Sequence, residues 1–375
     1  MLNKKRILIF STAYFPLVGG AEVAVKEITD RITDIDFDMV TLRFDSNHLS
    51  TEKLGNITVY RINSSKVLFP FRAFMLARKL HKKNKYDAVW AIMAAYAGFA
   101  ALFFKMRFPN VKYVLTLQEG DPIDYIKRRA FFVYPIFKKI FLKADIIQVI
   151  SNYLGDFARS MGYKGRVEVI PNGVDIQKFE SGQYSVLAKD RIILITTSRL
   201  VEKNGVGDII DALKYLPENV ELHILGVGPL ESELKLKAKK LKSSEARIKF
   251  LGLIPPEKIP DYLHQADIFI RPSLSEGMGN SFIEAMAAGL PVIATPVGGI
   301  VDFLKDPSTS SGQVATGLFC EVKNPKSIAE QVKRLMDNPE LKSKLIETAS
   351  RMVKEKYEWN LIADQMKKRV FEPFL

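Results

Sequence analysis

Two carboxylates and two cations are spaced along this chain in a way that suits an anionic ligand such as a phosphate. Glu276 stands inside a Gly-rich run, Glu276-Gly-Met-Gly-Asn280, and Glu284 follows with seven residues between them. Arg199 and Lys203 lie four positions apart in Ser198-Arg-Leu-Val-Glu-Lys-Asn-Gly205. Arg as a planar fork and Lys as a point charge can together neutralise a diphosphate. Glycines at a helix start let a ligand approach backbone N–H groups, which favour an anion. Each piece also has a plainer reading. Ser281-Phe-Ile-Glu284 fits a capping box, Glu276 a solvated loop acid, and Arg199 with Lys203 ordinary surface charge at a strand end.

The surrounding sequence shows what must position these groups. Ile268, Phe269 and Ile270 read as a buried strand ending at Pro272. A helix is expected from about Ser281 to Ala288, with Glu284 in its first turn and Gly289 and Pro291 stopping it. Val292-Ile-Ala then reads as the next strand. The resulting βαβ unit implies a parallel sheet that binds ligands beyond its strand ends. Ile192 to Thr197 is a second buried strand that delivers Arg199 and Lys203 to the same kind of position. The N-terminal half alternates strands (Arg6–Phe10, Asp38–Leu42, Ile57–Arg61, Ala88–Ile92, Lys112–Leu117, Ile146–Ile150) with helices (Ala21–Ile32, Phe71–Lys83, Ala94–Lys105). Such alternation predicts a doubly wound α/β domain. Between its first strand and helix, Gly19-Gly20 can bring backbone N–H groups against a phosphate, though without dinucleotide-fingerprint spacing.

The frame Pro272-Ser-x-x-Glu276-Gly…Glu284-Ala-Met-Ala-x-Gly289-x-Pro291-Val resembles the signature of retaining glycosyltransferases of the GT-B architecture, family 4. The resemblance runs from Arg6 to about Phe371 and is densest from Arg191 to Gly299. It implies an α/β fold of two Rossmann-like, doubly wound parallel-sheet domains facing a central cleft, with a C-terminal helix crossing back to the N-terminal domain. Residues 1–185, with a returning helix at about 357–375, would form the acceptor-binding domain, and residues 186–356 the nucleotide-sugar-binding domain. Trp359 and Phe371 would anchor the returning helix. By the same resemblance the donor is a nucleotide diphosphate sugar, carrying UDP or GDP. Arg199 and Lys203 would stabilise the leaving diphosphate, with Gly19, Gly20 and the helix start at Ser281 as further phosphate contacts. Glu276 and the backbone of Gly277, Met278, Gly279 and Asn280 would hold the sugar, and Glu284 the ribose hydroxyls. Arg, Lys and backbone meet the phosphate charge, so neither metal nor cofactor is expected.

Composition sets the outer bounds. The chain has 375 residues, 47% of them hydrophobic and 26% charged, enough for two globular domains. One cysteine, Cys320, excludes an internal disulfide, suits a reducing compartment and reads as a small buried hydrophobe. The net charge of +13 points to an anionic partner, a nucleotide or an acidic membrane surface. No RNA-binding aromatic signature or zinc-finger spacing appears, so nucleic acid is not expected. The uncharged run Ala88 to Phe104 falls just short of the roughly 18 residues of a membrane span and divides into a strand and an Ala-rich helix. A cytoplasmic protein, peripheral at the membrane's cytoplasmic face, is the expectation.

The acceptor side departs from the family. Many members carry a His after the strand that here is Tyr113 to Leu117, whereas this chain reads Thr116-Leu-Gln-Glu-Gly-Asp-Pro122. Gln118, Glu119 and Asp121 are the polar groups available, with Glu119 and Asp121 as acceptor-side candidates. Basic and aromatic residues cluster at Phe69, Phe71, Arg72, Arg78, Lys79, Lys82 and Lys83. A second cluster runs through Lys127, Arg128, Arg129, Phe131, Phe132, Tyr134, Phe137, Lys138 and Lys139. They suit an anionic lipid surface and a carbohydrate or lipid-linked acceptor, or equally amphipathic helices with solvated lysines. A catalytically silent nucleotide-sugar-binding subunit and a sugar-nucleotide epimerase of the same fold are the alternative readings. The spacing leaves oligomeric state open.

Overall fold

The computed structural model describes residues 4–180, 191–241, 245–308 and 314–374. It divides into two compact units, Met1–Asn172 with Trp359–Leu375, and Gly173–Glu358. The stretch expected as a linker, 181–190, and most of the polar run that starts at Asp306 lie outside the described residues.

Unit 1 is built on eight strands: β1 (Lys5–Phe10), β2 (Ile35–Leu42), β3 (Thr51–Leu54), β4 (Ile57–Ile62), β5 (Ala88–Ile92), β6 (Lys112–Leu117), β7 (Ile146–Val149) and β8 (Arg166–Val169). They form one sheet in the order β3-β4-β2-β1-β5-β6-β7-β8. All neighbours are parallel except the β3–β4 hairpin. Helices cover parallel strands on both faces, which explains the unbroken apolar runs, such as the fully buried Ile7 to Phe10. The helix Gly20–Arg31 buries Ala21, Ala24, Val25 and Ile28, the three-and-four spacing of one helical face.

The end of the chain returns to this unit. The helix Trp359–Gln365 continues as a π-helix over Met366–Phe371. Trp359, Ile362, Met366 and Phe371 are buried in the unit 1 core. The Phe371 ring lies 5.2 Å from Trp90 and 6.1 Å from Phe37, edge-on to both. The two expected anchors therefore pack where the resemblance placed them.

Unit 2 carries β9 (Ile192–Thr197), β10 (Val220–Leu225), β11 (Ile248–Gly252), β12 (Ile268–Arg271), β13 (Val292–Ala294) and β14 (Leu318–Phe319). The order is β11-β10-β9-β12-β13-β14, parallel throughout. The direction of winding reverses between β9 and β12, the switch point at which open α/β sheets bind ligands. Cys320 is buried and its thiol is pushed up to about 12 by that burial, as a small hydrophobe would be.

The division falls earlier in the chain than position 185. Val174 N–H donates to the Tyr357 carbonyl at 2.7 Å, and the His264 ring nitrogen lies 2.6 Å from the Phe179 carbonyl oxygen. These bonds hold residues 173–180 in unit 2, and Tyr357 and Glu358 stay there too. β3, β8 and β14 went unread in the sequence. β3, Thr-Glu-Lys-Leu on a sheet edge, alternates exposed and half-buried residues, and β14 is two residues long, so neither carries an apolar run.

Candidate active site

The carboxyl ends of β9 and β12 bring the Arg199–Lys203 loop and the Glu276 loop together. Leu274 N–H donates to the Lys203 carbonyl at 2.6 Å. Gly205, at φ +67°, lies so close that a Cβ there would stand 2.1 Å from the Pro272 carbonyl oxygen. Arg199 is exposed and Lys203 half-buried. The β10 loop closes in from the other side, where Gly226 N–H bonds the Gly252 carbonyl at 2.7 Å and Ser198 N–H bonds the Leu225 carbonyl at 3.0 Å.

A polar network, absent from the sequence reading, joins the two loops. Arg271, the last residue of β12, is buried, and its guanidinium bonds and ion-pairs with Glu276. The same nitrogen bonds the Asn204 side-chain oxygen at 3.0 Å, and the other terminal nitrogen bonds Ser281 Oγ at 2.9 Å. Asn204, only 2% exposed and so dependent on internal partners, returns its amide to the Arg199 carbonyl at 2.6 Å. The guanidinium carbon sits 5.3 Å from the centre of the Phe282 ring. The signal available in sequence was a charge closing an otherwise apolar strand, and a polar residue in what read as a simple Asn-Gly turn.

Glu276 is buried, with Oε1 accepting from Gly277 N–H at 3.1 Å while Arg271 takes the other oxygen. Met278 is buried beside it. The following helix spans Asn280–Ala287, and Gly279, at φ +86°, is its N-cap without a side-chain bond. Glu284 therefore lies in the second turn rather than the first, and the capping box does not form. Ser281, which would have capped Glu284, instead accepts from Arg271. Burial pushes the Glu284 carboxyl up to about 7, against the pull of the Arg271 charge.

In unit 1, Gly19 is the extended N-cap of the helix that begins at Gly20. The Glu22 carboxylate folds back to this end, accepting from the N–H groups of Gly19 and of Glu22 itself. A Cβ on Gly19 would stand 2.7 Å from Glu22 Oε2. Burial raises the Glu22 carboxyl above the usual carboxylate range. The site expected to meet a phosphate thus already faces a carboxyl group supplied by its own helix.

The two acceptor-side candidates differ in surroundings. Glu119 Oε1 accepts from Ala94 N–H at 2.6 Å, while Oε2 is buried without a hydrogen-bond partner among the described residues. Burial pushes this carboxyl up to about 7. It braces the turn after β5, where Met93 holds the left-handed φ of +70°. Asp121 is half-buried, and Gln118 Oε1 accepts from Asn172 at 3.2 Å.

The basic-aromatic clusters sort by exposure. Phe69 and Phe137 are core residues, whereas Phe131 is 70% and Phe132 95% exposed, on the short turn Phe131–Val133 that follows Lys127-Arg-Arg129. Phe71, Phe74, Phe103, Met106 and Arg107 line an apolar groove of about 430 Å³. Among the described residues no helix is long and apolar enough to cross a membrane, and no group of His, Cys, Asp and Glu is arranged to hold a metal ion.

Comparison with known proteins agrees with this geometry. The family profile "Glycosyltransferase Family 4" matches residues 18–178, and "Glycosyl transferases group 1" matches residues 177–352. The chain belongs to the group 1, family 4 glycosyltransferases. An uncharacterized glycosyltransferase of Methanocaldococcus jannaschii is 26% identical over 94% of each chain. A GDP-mannose-dependent monoacylated alpha-(1-6)-phosphatidylinositol monomannoside mannosyltransferase of Corynebacterium glutamicum is 27% identical over 98% of each. Among solved structures, sucrose-phosphate synthase from Thermosynechococcus elongatus superposes with a TM-score of 0.84 at 21% identity, covering 99% of both chains. Anabaena HepE in complex with UDP-glucose superposes at 0.79, with 18% identity over 97% of this chain and 98% of that one. The fold of this glycosyltransferase is GT-B, with two parallel-sheet α/β domains.

Proposed function

We propose that this glycosyltransferase moves a sugar from a UDP- or GDP-sugar to an acceptor hydroxyl with retention of anomeric configuration, without a metal ion or cofactor. The observation that carries the reading is the joining of the Arg199–Lys203 loop to the Glu276 loop at the switch point of the second sheet. Cleavage of the donor leaves negative charge on the diphosphate and positive charge on the sugar carbon. Cations fixed beside the phosphates and acidic or dipolar groups around the sugar lower that barrier. Arg199, Lys203 and the helix start at Asn280 take the first role. Glu276 and the backbone from Gly277 to Asn280 hold the sugar, and Glu284 the ribose. The leaving phosphate deprotonates the acceptor hydroxyl, so the absent His is not required.

The acceptor in this reading is lipid-linked or part of a cell-envelope glycan, and the enzyme works peripherally at the cytoplasmic face of an anionic membrane. Phe131 and Phe132 exposed beside Lys127, Arg128 and Arg129 support this, since aromatic residues enter the interface while cations meet lipid phosphates. The full-length similarity to a phosphatidylinositol mannoside mannosyltransferase supports it too.

A donor screen tests the proposal. Thermal shift and slow nucleotide release would be recorded with UDP-, GDP-, ADP- and dTDP-sugars, with and without EDTA. Stabilisation and turnover with UDP- or GDP-sugars, unchanged by EDTA, is expected. Binding without turnover in the presence of any acceptor extract would favour a silent binding subunit.

A further inference from the structure

Arg271 touches more of the site than any role assigned so far requires. Its guanidinium reaches the Glu276 carboxylate, the Asn204 amide and the Ser281 hydroxyl, which belong to three different segments. Its charge also acts on Glu284, the second carboxylate of the pair. Asn204 carries the connection to the Arg199 carbonyl, and the neighbouring Lys203 carbonyl holds Leu274. The Phe282 ring lies beneath the guanidinium, whose carbon is 5.3 Å from the ring centre. A lysine offers a point charge and cannot hold three partners in one plane.

We propose that Arg271 is a positioning residue that couples the diphosphate-binding loop to the Glu276 carboxylate, so that one guanidinium sets where the donor's sugar is held relative to its phosphates. The proposal rests on the nucleotide-sugar reading above. Arg271 contacts no phosphate in this role. It acts through Glu276 and Asn204.

A purely architectural role, pinning β12 to the helix that follows, would weaken every ligand alike. Positioning predicts a split. Arg271→Lys should keep the dissociation constants of free UDP and GDP within about threefold, while the ratio of sugar nucleotide to free nucleotide affinity worsens about tenfold, as for the loss of a charge-assisted contact. UDP-glucose and GDP-mannose serve as probes, by calorimetry. Turnover should fall at least as far. Equal losses for nucleotide and sugar nucleotide, or no loss, overturn the proposal.

A double-mutant cycle supplies a second readout that needs no donor. Melting temperatures of Asn204→Ala, Glu276→Gln and the double variant should be clearly non-additive if one guanidinium joins them. Additivity overturns the proposal. Should the wild type bind neither nucleotide, the donor reading fails by itself and the positioning role falls with it, while the cycle still reports whether one guanidinium joins the two loops.

Discussion

Gly298 lies so close to Glu276 that a Cβ on it would stand 1.9 Å from the Glu276 carbonyl oxygen. Its φ is +55°, and Gly299 N–H donates to the same carbonyl at 3.0 Å. The Gly-Gly pair is thus a backbone clamp on the loop that carries the acid. Gly298→Ala meets both a clash with backbone and a left-handed conformation, so a loss of about 2 kcal/mol or more is expected. Urea unfolding measures that loss, and sugar-nucleotide thermal shift should vanish with it as the Glu276 loop moves.

Donor binding should depend on pH through Glu284. In the proposed donor complex ribose hydroxyls donate to the ionised Glu284 carboxylate, and burial pushes this carboxyl up to about 7. Binding then favours the deprotonated form, so affinity rises with pH through about 7 and levels above it. Glu284→Gln should flatten the profile. A wild-type affinity that is constant from pH 5.5 to 8.5 would remove Glu284 from the donor site.

Glu119 should make stability depend on pH in the direction opposite to that of an ordinary salt-bridged acid. Its folded carboxyl titrates at about 7, above the ordinary value of 4.5. Across that window the folded state keeps a proton that the unfolded state has lost, so stability falls as pH rises. Glu119→Gln keeps an oxygen to accept from Ala94 N–H and removes the ionisation. At pH 8 the variant should be more stable than wild type by on the order of 1–3 kcal/mol, with little difference at pH 5. Chemical unfolding at the two pH values reads this directly.

Lys203→Ala should lower turnover more than donor affinity if the lysine chiefly meets charge that develops as the diphosphate leaves. A tenfold or larger fall in kcat with KM changed less than about threefold is the expected pattern. Equal losses in both would make Lys203 a ground-state contact only.

Phe131 and Phe132 allow a test of membrane docking that leaves the nucleotide site untouched. The double change to Ser should abolish sedimentation with phosphatidylglycerol vesicles at low salt while nucleotide thermal shifts stay as in wild type. Wild-type binding should weaken as ionic strength rises, because the cations beside these rings act through screened charge. Vesicle binding unaffected by the double change would place the lipid contact elsewhere or nowhere.

Much of this was legible in the sequence, for a physical reason. Strands covered on both faces must be apolar throughout, so Ile7 to Phe10 and Ile268 to Ile270 announced themselves. Edge strands such as Thr51–Leu54 have no such requirement and left no trace. Within the site, the residue types and spacing brought forward Glu276, Glu284, Arg199 and Lys203. They did not bring forward Arg271 or Asn204, whose importance lies in partners distant in sequence. Asn204 and Arg271 are 67 positions apart, and only the parallel pairing of β9 with β12 makes them neighbours. The capping box, the plainer reading of Ser281 and Glu284, does not form because local sequence offers Glu284 as partner while the fold supplies a guanidinium.

Unit 1 is assembled from both ends of the chain, Met1–Asn172 and Trp359–Leu375. Synthesis proceeds from the N-terminus, so the core around Phe37 and Trp90 stays uncovered until Phe371 has emerged, after all of unit 2. A nascent or prematurely stopped chain that ends just short of Trp359 holds all the strands of both sheets but lacks the helix that covers the first one's core. Translation to the last turn thus becomes a condition for a finished first domain, and every shorter product carries an open apolar face that chaperones and proteases recognise.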